Sequence, residues 1–212
     1  MCTLKGVETS GLIVCFEGID GAGKNTQARM LKRRLETAGV KTESYSYPDY
    51  KGRYGRIIRA YLDRKIEMGV DEFLLLHMLD KQKDRRRIER GLEKGEVLIM
   101  DRYLDSVVAY QSAGGFPYDS AKKIVLLFGM PPPDIVIYLD IPVRVSTLRK
   151  NRQRHGVLDR HESSAAYLNK VRGVYNKLYA ERFGCGTWVR IDGTGGAAAV
   201  HEKVFLEVNK LM

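Results

Sequence analysis

Residues Leu12-Ile13-Val14-Cys15-Phe16-Glu17 form a short apolar run that passes directly into Gly18-Ile19-Asp20-Gly21-Ala22-Gly23-Lys24-Asn25-Thr26. An apolar run feeding a glycine loop that ends in lysine reads as a strand, a phosphate loop and the start of a helix. Glycines let successive backbone N–H groups converge on phosphate oxygens, and the helix end adds partial positive charge. Lys24 reaches the β and γ phosphates of a nucleoside triphosphate. The G-x-x-x-x-G-K-[ST] spacing holds except at its last place. Asn25 stands where a magnesium-binding hydroxyl is usual, and Thr26 comes one residue late. The metal contact then falls to the Asn25 amide oxygen or to an intervening water. The loop defines a triphosphate site without naming a reaction.

Outward from the loop, apolar runs alternate with longer amphipathic stretches, the pattern of a parallel sheet with crossover helices. Five strands are expected: Leu12 to Glu17, about Thr42 to Tyr47, Glu96 to Asp101, Ile135 to Asp140 and Thr187 to Asp192. Their apolar residues are consecutive and not alternating, which suits strands covered on both faces. Helices are expected from Lys24 to Ala38 with Gly39 as the stop, from Asp71, from Pro142 and from Glu162 to Phe183. No repeat or low-complexity linker interrupts the 212 residues, so one domain is expected over 1–212, with 1–10 as an N-terminal extension.

The formal charge is +10 and 44% of residues are apolar, implying a packed core and an anionic partner. The longest apolar runs fall far short of the ~20 residues that span a bilayer. No signal-peptide pattern opens the chain. Cys2, Cys15 and Cys185 make neither a disulfide framework nor a zinc pattern, which points to a reducing, cytoplasmic setting and no membrane partner. The charge is also local. Six Lys or Arg against one acid fall in 51–65, six against two in 81–90 and six against one in 144–160.

The third expected strand ends in Asp101-Arg102-Tyr103. A carboxylate there resembles the magnesium-facing acid of phosphoryl-transfer enzymes, and the neighbouring arginine can fork onto a phosphate. In order and spacing, EGIDGAGK, Tyr47-Pro48-Asp49, DRYxxSxxAYQ, PDIVIYLD and LDRHE closely resemble the thymidylate kinase family, over nearly the whole chain from Gly11.

The resemblance implies transfer of the ATP γ-phosphoryl to dTMP with magnesium, no nucleic-acid partner, and a homodimer. It also implies a three-layer α/β P-loop fold of the nucleoside-monophosphate-kinase type, with a five-stranded parallel sheet and an arginine-rich lid at about 149–160. Arg102 would hold the acceptor phosphate, Tyr110 would crowd the 2′ position of the sugar and Gln111 would hydrogen-bond the thymine. Asp20 and Asp101 would organise metal and phosphates. Asp49, in the acceptor-site segment, replaces the more usual glutamate.

Three positions depart from the family pattern. A base-stacking phenylalanine and the arginine that reads the thymine are replaced by His77 and Lys81, on an expected helix from Phe73 to Arg90. An imidazole covers less area, and lysine cannot make a planar forked contact. Tyr50 occupies a position where some members carry a phosphate-binding arginine, leaving Arg53 or Lys51 to compensate. Val107 replaces a small or polar base-contacting residue. These departures keep dUMP, UMP or CMP open as alternative acceptors.

Gly21 lies where one subtype carries a loop arginine, and in members without one the lid supplies it. Arg152 or Arg154 would then serve the γ-phosphoryl in transit, supported by Arg149 and Arg160. A nucleic-acid-binding P-loop protein remains a distant alternative resting on net charge, since no binding module, basic arm or aromatic ladder is present.

Overall fold

A computed structural model of the chain describes residues 11–153 and 164–212. Among them are five strands, β1 (Leu12–Glu17), β2 (Thr42–Ser46), β3 (Val97–Asp101), β4 (Ile135–Asp140) and β5 (Thr187–Asp192). All pair in parallel, in the order β2-β3-β1-β4-β5. Ile13 to Phe16 and Val136, Ile137 and Leu139 are fully buried, as strands covered on both faces require.

The helices are α1 (Lys24–Thr37), α2 (Arg53–Leu62), α3 (Val70–Gln82), α4 (Arg85–Glu93), α5 (Leu104–Ala113), α6 (Tyr118–Leu127), α7 (Val143–Gln153), α8 (Ala165–Glu181) and α9 (Ala197–Asn209). They complete a three-layer α/β arrangement in which α1 packs on α9, and α5 packs on α3, α6 and α8. The register sets Phe16 beside Asp101 of β3 and Glu17 beside Tyr138 of β4. The carboxyl ends of the central strands therefore meet at one edge. The chain leaves β1 for one side of the sheet and later returns to the other, the topological switch at which open α/β sheets form their crevice.

The sequence-based elements recur with small shifts in their bounds, except in one stretch. Residues 73–90 do not form one helix, because α3 ends at Gln82 and α4 begins at Arg85. At the break, Asp84 N–H bonds back only to Lys81 O (3.0 Å), a tight turn in place of the helical step. Lys83 there swings onto three carboxylates, at 2.6 Å from Asp84, 3.3 Å from Asp80 and 3.4 Å from Asp49. Asp84 is thus off the helix that carries His77, Asp80 and Lys81. The lid is described only through Gln153, and Arg154, Arg160 and the LDRHE segment lie outside the described residues.

Helix α8 is tied to the sheet by Asp140, which accepts from Arg172 Nε and Nη2 (2.6 and 2.9 Å) and also from Arg190. Burial alone would raise this carboxyl, but the two guanidiniums hold it at about 2.

Asp105, on the first turn of α5, is buried beside Glu17 and Cys15. Burial first, and the Glu17 charge second, push its carboxyl well above the usual range. The folded chain keeps a proton there that the unfolded chain releases near pH ~4, so stability falls as pH rises from that value toward the raised pKa. Asp105→Asn is expected to raise Tm at pH 8 by roughly 3 °C or more. The gain should shrink toward pH 4, as thermal unfolding across that range would show.

Candidate active site

The loop after β1 turns on Gly18, whose φ of 138° and close approach to Leu139 O, 2.4 Å from where a Cβ would lie, exclude any side chain. Gly23, in the left-handed region at φ 97°, caps α1 and directs the first helical amides toward the loop. Residues Asp20 to Gln27, including Asn25 and Thr26, line one end of a cleft of about 660 Å³. Gly18 and Ile19 form the base of the loop, where Ile19 O accepts from Lys24 Nζ at 2.9 Å. Burial lowers the Lys24 pKa to about 8, with Arg102 adding to the effect.

Around the middle of the cleft, Arg102 leaves β3 with a positive φ of 67°, a strained conformation for a residue with a side chain. Its Nη2 donates to Asp20 Oδ1 (2.7 Å) and to the Tyr110 hydroxyl (2.8 Å), and Tyr110 in turn donates to Asp20 Oδ2 (2.9 Å). Burial opposes ionisation of Asp20, but Arg102, Lys24 and Lys150 outweigh it and hold the carboxyl well below the usual range. The result is a fixed anion–cation pair at the meeting point of the two halves of the cleft. Asp101 and Ser106 line the same region.

At the far end lie Tyr47, Pro48, Tyr50, Arg59, Phe73, His77 and Lys81. The His77 ring meets Phe73 edge-on at 4.6 Å, and Phe73 packs on Tyr61 at 4.2 Å. Lys81, 1% exposed, places Nζ 5.0 Å from the centre of the Tyr47 ring and donates to His77 O at 3.3 Å. Burial lowers its pKa to about 8. The Tyr47-Pro48-Asp49 segment is pinned from outside the cleft. Tyr47 donates to Asp84 (3.1 Å), and Asp49 N–H donates to Asp80 Oδ2 (2.9 Å).

The structure thus brings Asp20, Ala22, Gly21, Gly23, Lys24, Asn25, Thr26, Tyr50, His77, Lys81, Asp101, Arg102 and Tyr110 to one cleft. Asp49 is turned toward Lys83. Val107 and Gln111 are buried and do not line the cleft, and Gln111 Nε2 has no hydrogen-bond partner. Arg152 is exposed near the end of α7, whereas Arg149 and Lys150 reach the cleft. Arg149 donates to Gly21 O (3.1 Å) and Gly193 O (2.8 Å), joining α7 to the phosphate loop and to the β5–α9 turn. The basic residue of α2 that reaches the cleft is Arg59, in place of Lys51 or Arg53.

Phe73, Gln27 and, from the turn after β5, Gly193, Gly195 and Ala197 also line the cleft, outside the motifs that mark the rest of the site. The glycines at 193, 195 and 196, following a strand, were the available signal for that turn.

A glycine loop between the central strand and a helix, set at the switch point of a 2-3-1-4-5 parallel sheet, defines a P-loop nucleotide-binding protein of the nucleotide-kinase type. The family model described as Thymidylate kinase matches residues 16–204. Similar curated proteins are thymidylate kinases of Arabidopsis thaliana (31% identical, covering 95% of this chain and 72% of the plant protein), Akkermansia muciniphila (32%, 93% and 91%) and Homo sapiens (27%, 92% and 88%). This chain belongs to the thymidylate kinase family.

Two cleft lysines that lose their protons near pH 8 give the free protein a distinctive pH dependence. Above that value each deprotonation removes a positive charge facing an anionic substrate, so kcat/KM is expected to fall. Rates measured from about pH 7 to 9.5 would test this, and a flat profile would contradict it.

Proposed function

We propose that the chain catalyses transfer of the ATP γ-phosphoryl to dTMP, giving dTDP and ADP, as named for its thymidylate kinase relatives. The observation that carries the reading is the Arg102–Asp20–Tyr110 set, held between the phosphate loop at one end of the cleft and the His77–Lys81 chamber at the other. Two nucleotides entering from opposite ends would meet phosphate to phosphate at Arg102. Such chemistry is mostly positioning and charge stabilisation, and needs no side-chain nucleophile.

In this reading Lys24 and the loop amides hold the donor phosphates, Arg102 orients the acceptor phosphate and Tyr110 walls the sugar. A lid cation, Arg152 or Arg154, steadies the charge that spreads over the γ-phosphoryl. Asp20, Asp101 and the Asn25 amide offer the oxygen donors that Mg²⁺ favours, and all three line the cleft, so the residues fit that ion. Mg²⁺ bound there would neutralise phosphate charge. Gln111 and Val107 would serve the base through small movements of α5. The proposal extends to a single-domain, cytoplasmic homodimer. Among the described residues no helix is long and apolar enough to cross a membrane.

The acceptor end departs most from the family pattern. Lys81 presents a single cation against the Tyr47 ring, and His77 stands edge-on to Phe73. Steady-state kinetics with dTMP, dUMP, UMP and CMP test the assignment, with dTMP expected to give the highest kcat/KM. Lys81→Arg is expected to widen the preference for dTMP by several-fold, with KM for ATP unchanged. Turnover of dTMP no better than that of UMP would assign the chain to a different pyrimidine.

A further inference from the structure

Behind the cleft, and not lining it, lies a buried carboxylate. Glu17, the last residue of β1, is 0% exposed. Its Oε1 accepts from Tyr103 N–H (2.8 Å) and Ser106 N–H (3.2 Å), and its Oε2 accepts from the Tyr175 hydroxyl (2.7 Å). A buried charge is costly unless several donors meet it, and these three do so, joined by the Cys15 thiol, which donates to Oε1 at 3.7 Å. Two of them belong to the first turn of α5, whose N-cap residue Tyr103 makes no side-chain cap. Glu17 therefore caps α5 from a neighbouring strand and lies at the positive end of its dipole.

Two of these partners, Tyr103 and Tyr175, lead to Arg102. Tyr103 follows it in the chain, so its tethered amide holds the backbone turn that gives Arg102 its positive φ. Tyr175, with its proton donated to Glu17, offers its oxygen to Arg102 Nη1 at 3.4 Å, where Gly18 O also accepts at 3.3 Å. The guanidinium thus has two differently held sides. Nη2 faces Asp20 and Tyr110, both in the cleft wall, and Nη1 faces Gly18 and Tyr175.

We propose that Glu17 and Tyr175 are positioning residues that fix the inner side of the Arg102 guanidinium, so that its outer side can exchange Asp20 and Tyr110 for the acceptor phosphate without turning away. The inference rests on the role given to Arg102 above and adds two residues that touch no substrate. Because Tyr175 lies on α8, the relay also makes the setting of that helix part of the acceptor site. The Tyr175 ring packs on Tyr138 at 5.5 Å and meets Tyr110 edge-on at 6.5 Å, so a variant that keeps the ring isolates the hydroxyl.

Tyr175→Phe keeps that ring and removes the hydroxyl. Calorimetric binding and steady-state kinetics are expected to show dTMP bound about tenfold more weakly, or kcat/KM for dTMP lowered to the same extent, with KM for ATP within about twofold, and Tm lowered because Glu17 Oε2 loses its donor. Glu17→Gln should give the same acceptor-selective loss together with a lower Tm. The double variant should lose no more acceptor binding than the worse single variant, because both act along one path. Should Glu17→Gln fail to fold, the Tyr175→Phe result decides alone. Wild-type acceptor binding in Tyr175→Phe, equal losses for dTMP and ATP, or fully additive losses in the double variant would overturn the relay. Failure of the wild-type protein to turn over dTMP would instead count against the proposed reaction.

Discussion

The carboxylate of Glu17 joins the three parts of the molecule that make its cleft. It sits where β1 ends, where β3 turns into α5, and where α8 crosses the sheet. Each part alone would leave a polar group stranded: two amides at a helix start, a buried phenol and a buried acid. Together they satisfy one another, and the arrangement has one geometry. The phosphate loop begins at the next residue and Arg102 lies one residue before the tethered amide, so both ends of the phosphoryl path are referenced to this point. The sheet register, with Phe16 opposite Asp101, is what brings them to it.

Electrostatics then divide the cleft. The formal charge of +10 is concentrated in three segments, and the structure sets members of each, Arg59, Lys81, Arg149 and Lys150, along the cleft wall. Burial weakens the charge state of Lys24 and Lys81, while Asp20 stays firmly ionised between Arg102 and Lys24. Lysines so placed gain most from an arriving phosphate or base carbonyl, which replaces the water they have lost. The basic balance therefore works as an attraction for small anionic substrates that strengthens where they bind.

Much of this was legible in the sequence because it depends on neighbours along the chain. Consecutive apolar residues marked the strands, and the glycine spacing with Lys24 marked the loop. Asp101-Arg102 at a strand end marked the second half of the site. What was not legible depends on neighbours in space. Glu17 reads as the polar end of an apolar strand until β3, α5 and α8 are set around it. The break between α3 and α4 follows no proline or glycine. It accompanies the swing of Lys83 onto carboxylates from two segments. Gln111 shares the DRYxxSxxAYQ pattern with Tyr110, yet the two differ in reaching the cleft, because one turn of α5 faces both the cleft and the core. Phe73 reads as a core residue of α3 until its ring is found packed edge-on with His77, one helical turn away.

The most direct measurement is a crystal structure of the protein with dTMP and a non-hydrolysable ATP analogue bound together. The account predicts the dTMP phosphate on Arg102 Nη2, its base against His77 and Lys81, and the analogue's phosphates on Lys24 and the loop amides. A base seated away from His77 and Lys81, or an acceptor phosphate that leaves Arg102 paired with Asp20 alone, would contradict it.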